Sequence, residues 1–226
     1  MGRPVKWKIE CRALDDLLGG GVESGCLTLF FGEGGSGKTN LCLQLSRHVV
    51  LSGKRVVYID TEGVSPERLR QICGESYDEV ARNILFSEPN SQEEQEQAVE
   101  KAVKIAEAGP DVGLIVLDSA TMHYRLALGG PDRDEDRRSL TRQIARLLGH
   151  ARRTDTAVVL TSQVYAWGEP STVEPLGGFA LTHNAKVLVR LEKAGPNVRR
   201  AVIVKHRHVA EGLGAKFRLT ERGVED

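Results

Sequence analysis

The sequence predicts an α/β fold, a mostly parallel central sheet with helices on both faces and antiparallel strands at its C-terminal end. Three observations predict it. Apolar, β-rich runs recur at 26–31 (CLTLFF), 55–60 (RVVYID), 83–87 (NILFS), 113–118 (GLIVLD) and 156–162 (TAVVLTS), and strands without polar alternation belong to a sheet buried on both faces. Between these runs lie helical patterns, and strand–helix alternation is the signature of parallel pairing. After about residue 185 the rhythm changes to closely spaced KVLVRLE, RRAVIVKH and AKFRLTE, separated by turn signals at Gly195-Pro196-Asn197 and Gly212-Leu213-Gly214. These read as antiparallel strands added to the same sheet.

In chain order, MGRPVKWKIEC is basic but has no apolar core, so it does not read as a secretory signal. The strand LTLFF leads into GEGGSGKTN (32–40), and NLCLQLSRHVV then reads as a helix. EEQEQAVEKAVKIAEAG opens acidic and repeats Ala98, Val99, Ala102, Val103, Ile105 and Ala106 at helical spacing before Gly109-Pro110 ends it. RRSLTRQIARLLGHARR sets Leu140, Ile144, Leu147, Leu148 and Ala151 on one stripe, which predicts a second core-facing helix. With no repeat, linker or low-complexity tract in 226 residues, one domain over 1–226 is expected.

Lys plus Arg and Asp plus Glu both number 31, so composition gives no global attraction to nucleic acid or to an anionic membrane. No apolar run approaches the ~20 residues that cross a bilayer, and a cytoplasmic protein is expected. Cys11, Cys26, Cys42 and Cys73 are widely separated, and the six histidines lack metal-site spacing, which argues against a zinc, redox or metal-centred enzyme.

The chemistry lies in Gly32–Asn40. Gly32, Gly37, Lys38 and Thr39 fit G-x-x-x-x-G-K-[ST] between a strand and a helix, the context that identifies a phosphate-binding P-loop. Residues Gly32, Glu33, Gly34, Gly35, Ser36, Gly37, Lys38, Thr39 and Asn40 are the candidate cradle for ATP. Backbone N–H groups and the helix start face the phosphates, and Lys38 adds a full charge. Thr39 is the candidate Mg²⁺ ligand, with Asp118, at the end of GLIVLD, as the second. Hydrolysis also needs an oriented water, and Glu62 in YIDTEG, after a strand expected close to the P-loop strand, is the candidate carboxylate. Gln163 in LTSQV closes another strand at that edge, where an amide could sense the γ-phosphate.

These segments resemble the RecA/Rad recombinase family in its archaeal and eukaryotic branch. ALDDLLGGGVESGCLTLFFGEGGSGKTN (13–40), YIDTEGVSPERL (58–69), LIVLDSAT (114–121), VVLTSQV (158–164) and PLGG (175–178) follow the family's order over nearly the whole chain. The resemblance implies a RecA-type P-loop NTPase core, an ATP site shared between neighbours in a filament, Glu62 as water-activating carboxylate and Gln163 as γ-phosphate sensor. Arg68 of PERL matches a family position that packs on adenine, although the loop from Glu62 is a residue shorter here. The matching core begins at Ala13, so the N-terminal helical DNA-binding domain of the full recombinases is expected to be absent. That form is similar to the core-only archaeal paralogues of the family, and it implies an accessory factor in homologous recombination that acts with DNA and a full-length recombinase.

The second DNA loop of that family follows Gln163, yet no Lys or Arg occurs between Gln163 and His183. Tyr165 and Trp167 are candidates for stacking on single-stranded bases or for packing on the domain. The first loop mixes Arg125, Arg133, Arg137, Arg138 and Arg142 with acids. From Lys186 to Asp226, ten Lys and Arg stand against five acids, so this segment is the better candidate for DNA phosphates. Arg199, Arg200, Lys205 and Arg207 are its candidate DNA or trans-interface residues. Strand alternation sets Lys205 and Arg207 on one face and His206 and His208 on the other, which leaves a neighbour's nucleotide, DNA or solvent as the partner of the first pair. The balance favours a weak ATPase using nucleotide as a switch, with possible homo-oligomers; the rivals are an autonomous DNA-dependent ATPase recombinase and a KaiC-like signalling ATPase.

Overall fold

The structure is a computed structural model; it describes residues 4–109, 111–127, 133–166 and 173–226, with side chains for all of these except Leu126, Ala127, Arg133, Tyr165 and Ala166. In chain order the strands are β1 (Lys6–Trp7), β2 (Val22–Glu23), β3 (Leu27–Gly32), β4 (Arg55–Asp60), β5 (Ile84–Ser87), β6 (Val112–Asp118), β7 (Ala157–Ser162), β8 (Val164–Ala166), β9 (Val173–Pro175), β10 (Val187–Gly195), β11 (Val198–Lys205), β12 (Gly214–Thr220) and β13 (Gly223–Glu225). The helices are α1 (Arg12–Leu17), α2 (Lys38–Leu51), α3 (Pro66–Cys73), α4 (Tyr77–Asn83), α5 (Gln92–Ala108), α6 (Met122–Ala127), α7 (Arg133–Arg153) and α8 (Phe179–Asn184).

The central sheet runs β13-β12-β11-β10-β3-β7-β6-β4-β5. From β10 to β5 every pairing is parallel, whereas β11, β12 and β13 are added antiparallel. This is the α/β architecture expected from the unbroken apolar runs: every residue of β3, β6 and β7 is buried. Helices α2, α3 and α4 cover one face, where Leu41, Leu45 and Val49 meet Phe30, Tyr58 and Val116. Helices α5 and α7 cover the other, where the predicted stripe Leu140, Ile144, Leu147, Leu148 and Ala151 is buried against Leu29, Ile115 and Leu160.

One expectation changes. β4 does not neighbour the P-loop strand, because β7 and β6 lie between them. A sheet whose strand order departs from chain order opens a crevice at the carboxyl ends of its strands, where ligands bind in such folds. The carboxyl ends of β3, β4, β6 and β7 carry the P-loop, Glu62, Asp118 and Gln163.

Candidate functional site

The loop from Gly32 to Gly37 forms a tight curl between β3 and α2. Gly35 and Gly37 adopt φ of 74° and 101°, conformations that side chains with a Cβ resist. A Cβ on Gly32 would fall 2.3 Å from the Leu191 carbonyl oxygen, so the neighbouring strand β10 demands glycine there. Nothing lies within 4 Å of the Cβ position at Gly34, which leaves that side of the loop open. Lys38 folds back over the curl, and its Nζ donates to the carbonyls of Gly32 (2.8 Å) and Glu33 (3.1 Å). Burial lowers the Lys38 pKa, while the charges of Glu62 and Asp118 oppose the shift. Three strand ends thus converge electrostatically on one ammonium.

Asp118 ends β6 fully enclosed. Its Oδ2 accepts from Tyr58 Oη at 2.8 Å and its Oδ1 from Thr161 Oγ1 at 2.5 Å. Burial raises its pKa, and the hydroxyls of Thr161, Thr39 and Tyr58 work against that rise. Thr39 and Asp118 therefore face each other, as a hydroxyl and a carboxylate must if they are to share a hard cation.

Glu62 reaches the site although its strand is distant from β3, because the loop after β4 turns back across the end of β6. Thr61 N donates to Asp118 O (2.8 Å), and Thr61 Oγ1 bonds both the N–H (2.8 Å) and the carbonyl (2.9 Å) of Ser119. Asp60 then organises the turn: Oδ1 accepts from the N–H groups of Glu62 (3.1 Å) and Gly63 (2.9 Å), and Oδ2 from Val64 N (2.5 Å). A buried carboxylate holding three successive amides fixes the backbone from which Glu62 projects. Glu62 Oε1 accepts from Gln163 Nε2 at 3.0 Å, and Gln163 Oε1 accepts from Arg125 of α6. The two sequence candidates are thus in direct contact, and Gln163 connects Glu62 to the helix that enters the first loop.

Arg68 sits near the opening of α2. Its guanidinium donates to Asn40 Oδ1 (2.7 Å), Gln71 Oε1 (2.9 Å) and the carbonyls of Glu221 (2.9 Å) and Thr220 (2.8 Å). It bridges the P-loop helix to the β12–β13 turn, and burial lowers its pKa.

The C-terminal cations are placed differently from one another. Arg199 Nε donates to the Gly35 carbonyl of its own P-loop at 2.9 Å. Arg200 lies 3.8 Å from Glu192. Lys205 Nζ donates to the carbonyls of Thr182 (3.0 Å) and Ala185 (2.8 Å). The strand alternation expected through KHRH stops at Lys205, because β11 ends there beside a register shift between the partners of Leu188 and Val189. Beyond the strand Arg207 and His208 turn to the same acceptor, the buried Glu23, at 2.6 and 2.8 Å. Burial pushes the Glu23 carboxyl up, but His208 and Arg207 outweigh it and hold the pKa low. The expectation for Trp167 and for the Tyr165 side chain lies outside the described residues, as does that for the side chain of Arg133.

Asp60, Tyr58 and Thr161 are the site residues that sequence reasoning missed, and Arg125, read there as a cation of the first loop, is found instead on Gln163. Asp60 had a signal, an acid closing a strand with glycine three residues on, as in an Asx-type turn. Tyr58 and Thr161 sit inside apolar strands and gave none.

These residues suit a magnesium nucleotide. The curl is open at Gly34, and Ser36 Oγ inside it is buried without a partner among the described residues. Thr39 and Asp118 offer hard oxygen donors. Among the described residues no group of three or more His, Cys, Asp and Glu could hold a metal by itself, but Mg²⁺ on a nucleotide takes only one or two protein oxygens beside phosphate and water.

Comparison with known proteins places the whole fold. A family model described as Rad51 matches residues 4–226. The chain is 46% identical over 216 residues to a DNA repair and recombination protein RadB from Methanococcoides burtonii, with 95% of each chain covered. A RadB from Thermoplasma acidophilum is 39% identical, over 98% of this chain and 94% of that one. A crystal structure of the RadB recombinase superimposes with a TM-score of 0.83 at 35% identity, covering 97% of this chain and 99% of the other. From the first strand to the last, in sequence and in backbone, the chain belongs to the Rad51 family.

Proposed function

We propose that this chain is an ATP-binding DNA repair and recombination protein, an accessory or mediator paralogue in which bound nucleotide acts mainly as a switch and hydrolysis is slow. The observation that carries the reading is the Glu62–Gln163–Arg125 chain of hydrogen bonds. It makes one amide the shared partner of the hydrolytic carboxylate and of a helix leading to the first DNA loop. The Gln163 carbonyl also accepts from Leu176 N (2.8 Å), at the far end of the second loop. A γ-phosphate that competes for the Gln163 amide would therefore redistribute the contacts of both loops.

In this mechanism the P-loop amides and Lys38 grip the triphosphate, and Arg68 lies where it could flank the adenine. Thr39 and Asp118 would hold Mg²⁺, which when bound neutralises charge on the phosphate oxygens. Glu62, held by the Asp60 turn, orients the attacking water and takes its proton. Gln163 donates to Glu62 in the present arrangement and is free to turn its amide toward the γ-phosphate.

Two features favour switch over motor. No Lys or Arg lies between Gln163 and His183, and three of the candidate cations of the C-terminal segment are engaged within the chain: Lys205 with main-chain carbonyls, Arg207 with Glu23 and Arg199 with Gly35. Single-stranded DNA, a full-length recombinase of the same family and further copies of this chain are the partners of this reading, and the whole chain forms one ATPase core domain. Among the described residues no helix is long and apolar enough to cross a membrane; cytoplasmic placement is part of the proposal.

Steady-state ATP hydrolysis with and without single-stranded DNA tests it. The expected result is slow turnover, with DNA affinity that differs between the ATP and ADP forms. Turnover strongly stimulated by DNA, together with strand exchange by this protein alone, would establish the autonomous recombinase instead.

A further inference from the structure

We propose that Lys193 and Arg199, paired across the β10–β11 hairpin, are positioning residues that brace the P-loop from outside and raise its affinity for the phosphate tail of ADP and ATP. This rests on the nucleotide reading above and assigns it two further residues.

The hairpin reaches the loop by overshooting. β10 runs parallel to β3 in register up to Leu191 opposite Gly32, where β3 ends, and then continues to Gly195. The extra residues lie alongside the phosphate-binding curl. Lys193 and Arg199 are direct cross-strand partners, so their side chains share one face of the hairpin. Like charges placed opposite each other in a sheet destabilise it unless acceptors intervene. Both acceptors come from the P-loop: Lys193 Nζ lies 3.3 Å from Glu33 Oε2, and Arg199 Nε donates to the Gly35 carbonyl at 2.9 Å.

Arg199 is itself locked, with Nη1 donating to the carbonyls of Val198 (2.9 Å) and Gly195 (3.3 Å). Its hold on Gly35 matters because that residue has φ of 74°, and the planar peptide transmits the carbonyl's direction to the following amide. Arg199 therefore restrains a peptide of the curl without occupying the space the phosphates need. Two cations against the single exposed carboxylate of Glu33 also leave a local positive excess. That excess complements a polyanion. Neither side chain bonds Glu62, Gln163 or Asp118 among the contacts described, so the pair should act on binding and not on the hydrolytic step.

The test is equilibrium binding of fluorescent ADP and of a non-hydrolysable ATP analogue, each with Mg²⁺, to the full chain and its variants. Arg199→Ala should raise Kd for both nucleotides by about tenfold, and Arg199→Lys and Lys193→Ala by about threefold, while kcat at saturation stays within about twofold. Arg218→Ala is the control. Arg218 is exposed on β12 next to Phe217, which packs toward Gly37, so alternation turns its side chain to the opposite face. Should Arg199→Ala fail to fold, Arg199→Lys and Lys193→Ala carry the comparison. Affinities equal to those of Arg218→Ala, or kcat lost with Kd unchanged, would overturn the inference. Wild-type protein that binds neither nucleotide would overturn the nucleotide reading itself, and loss confined to the hairpin variants cannot be confused with that outcome.

Discussion

Replacing Asp60 by Asn isolates the support beneath Glu62 from the grip on the nucleotide. The carboxylate accepts from three amides, and Val64 N at 2.5 Å is bound by Oδ2 alone. Asn keeps one oxygen, enough for Glu62 N and Gly63 N, and turns an NH₂ donor toward the third amide. A lost hydrogen bond to a charged group costs about 1.5–3 kcal/mol. Because Val64, whose amide loses its acceptor, is only half-buried, water offsets part of that cost, and the lower end applies. For a chain of this length ~1.5 kcal/mol lowers Tm by about 3–6 °C. The kinetic effect should be larger, since a shift of about 1 Å in a catalytic group costs roughly 10²-fold in turnover. Asp60 touches no P-loop residue among the described contacts, so nucleotide Kd should stay within about threefold. Single-turnover hydrolysis and fluorescent-nucleotide titration on the same preparation give both numbers. Unchanged turnover, or Kd and turnover that weaken together, would refute the role given to the Asp60 turn.

Other perturbations separate structural from chemical roles. Asp118→Asn keeps one acceptor oxygen for the two hydroxyls of Tyr58 and Thr161 while removing a carboxylate whose pKa burial has raised. A raised acid costs stability once pH exceeds its unfolded value, so the Tm of this variant relative to wild type should rise as pH is brought from acid to neutral. Mg²⁺-dependent hydrolysis should be lost; a relative Tm that stays flat or falls over that range would contradict the assignment. Glu23→Gln has the opposite sign, because Glu23 is held low by His208 and Arg207 despite its burial. The wild-type advantage, about 1.5–3 kcal/mol from charged hydrogen bonds, should be full above the carboxylate's unfolded pKa and fade as pH falls, and a pH-independent difference in thermal melts would count against it. For the double variant Lys205→Ala with Arg207→Ala, phosphate contact predicts weaker DNA binding with a shallower salt slope. An unchanged slope in a gel-shift series would leave both residues as internal ties.

Much of this was legible because local pattern and global fold agree. The apolar runs gave the buried strands β3, β6 and β7, although the run 83–87 forms the edge strand β5, where Phe86 is exposed, and the i, i+3, i+4 stripe on 140–151 gave the face that α7 packs. The glycine spacing of 32–37 marked a loop whose conformation only glycine tolerates at Gly35 and Gly37. What sequence could not carry was strand order. Nothing in RVVYID tells that β6 and β7 intervene between β4 and β3, and so nothing told how Glu62 returns to the site. Period-two alternation was also carried too far at residues 205–208, because a strand's end is set by its partner and β11 stops at Lys205. Tyr58 and Thr161 were silent for a related reason: a hydroxyl inside an apolar strand looks like core until the carboxylate it serves is seen beside it.

The central claim is that Lys38 and the glycine curl bind the phosphate tail of an adenine nucleotide, while Glu62 acts only on turnover. Titration calorimetry of ATP with Mg²⁺ into wild type, Lys38→Ala and Glu62→Gln tests this most directly. Saturable binding by wild type and by Glu62→Gln, with none by Lys38→Ala, is the expected result. Binding that survives Lys38→Ala, or no heat of binding from well-folded wild-type protein, would contradict it.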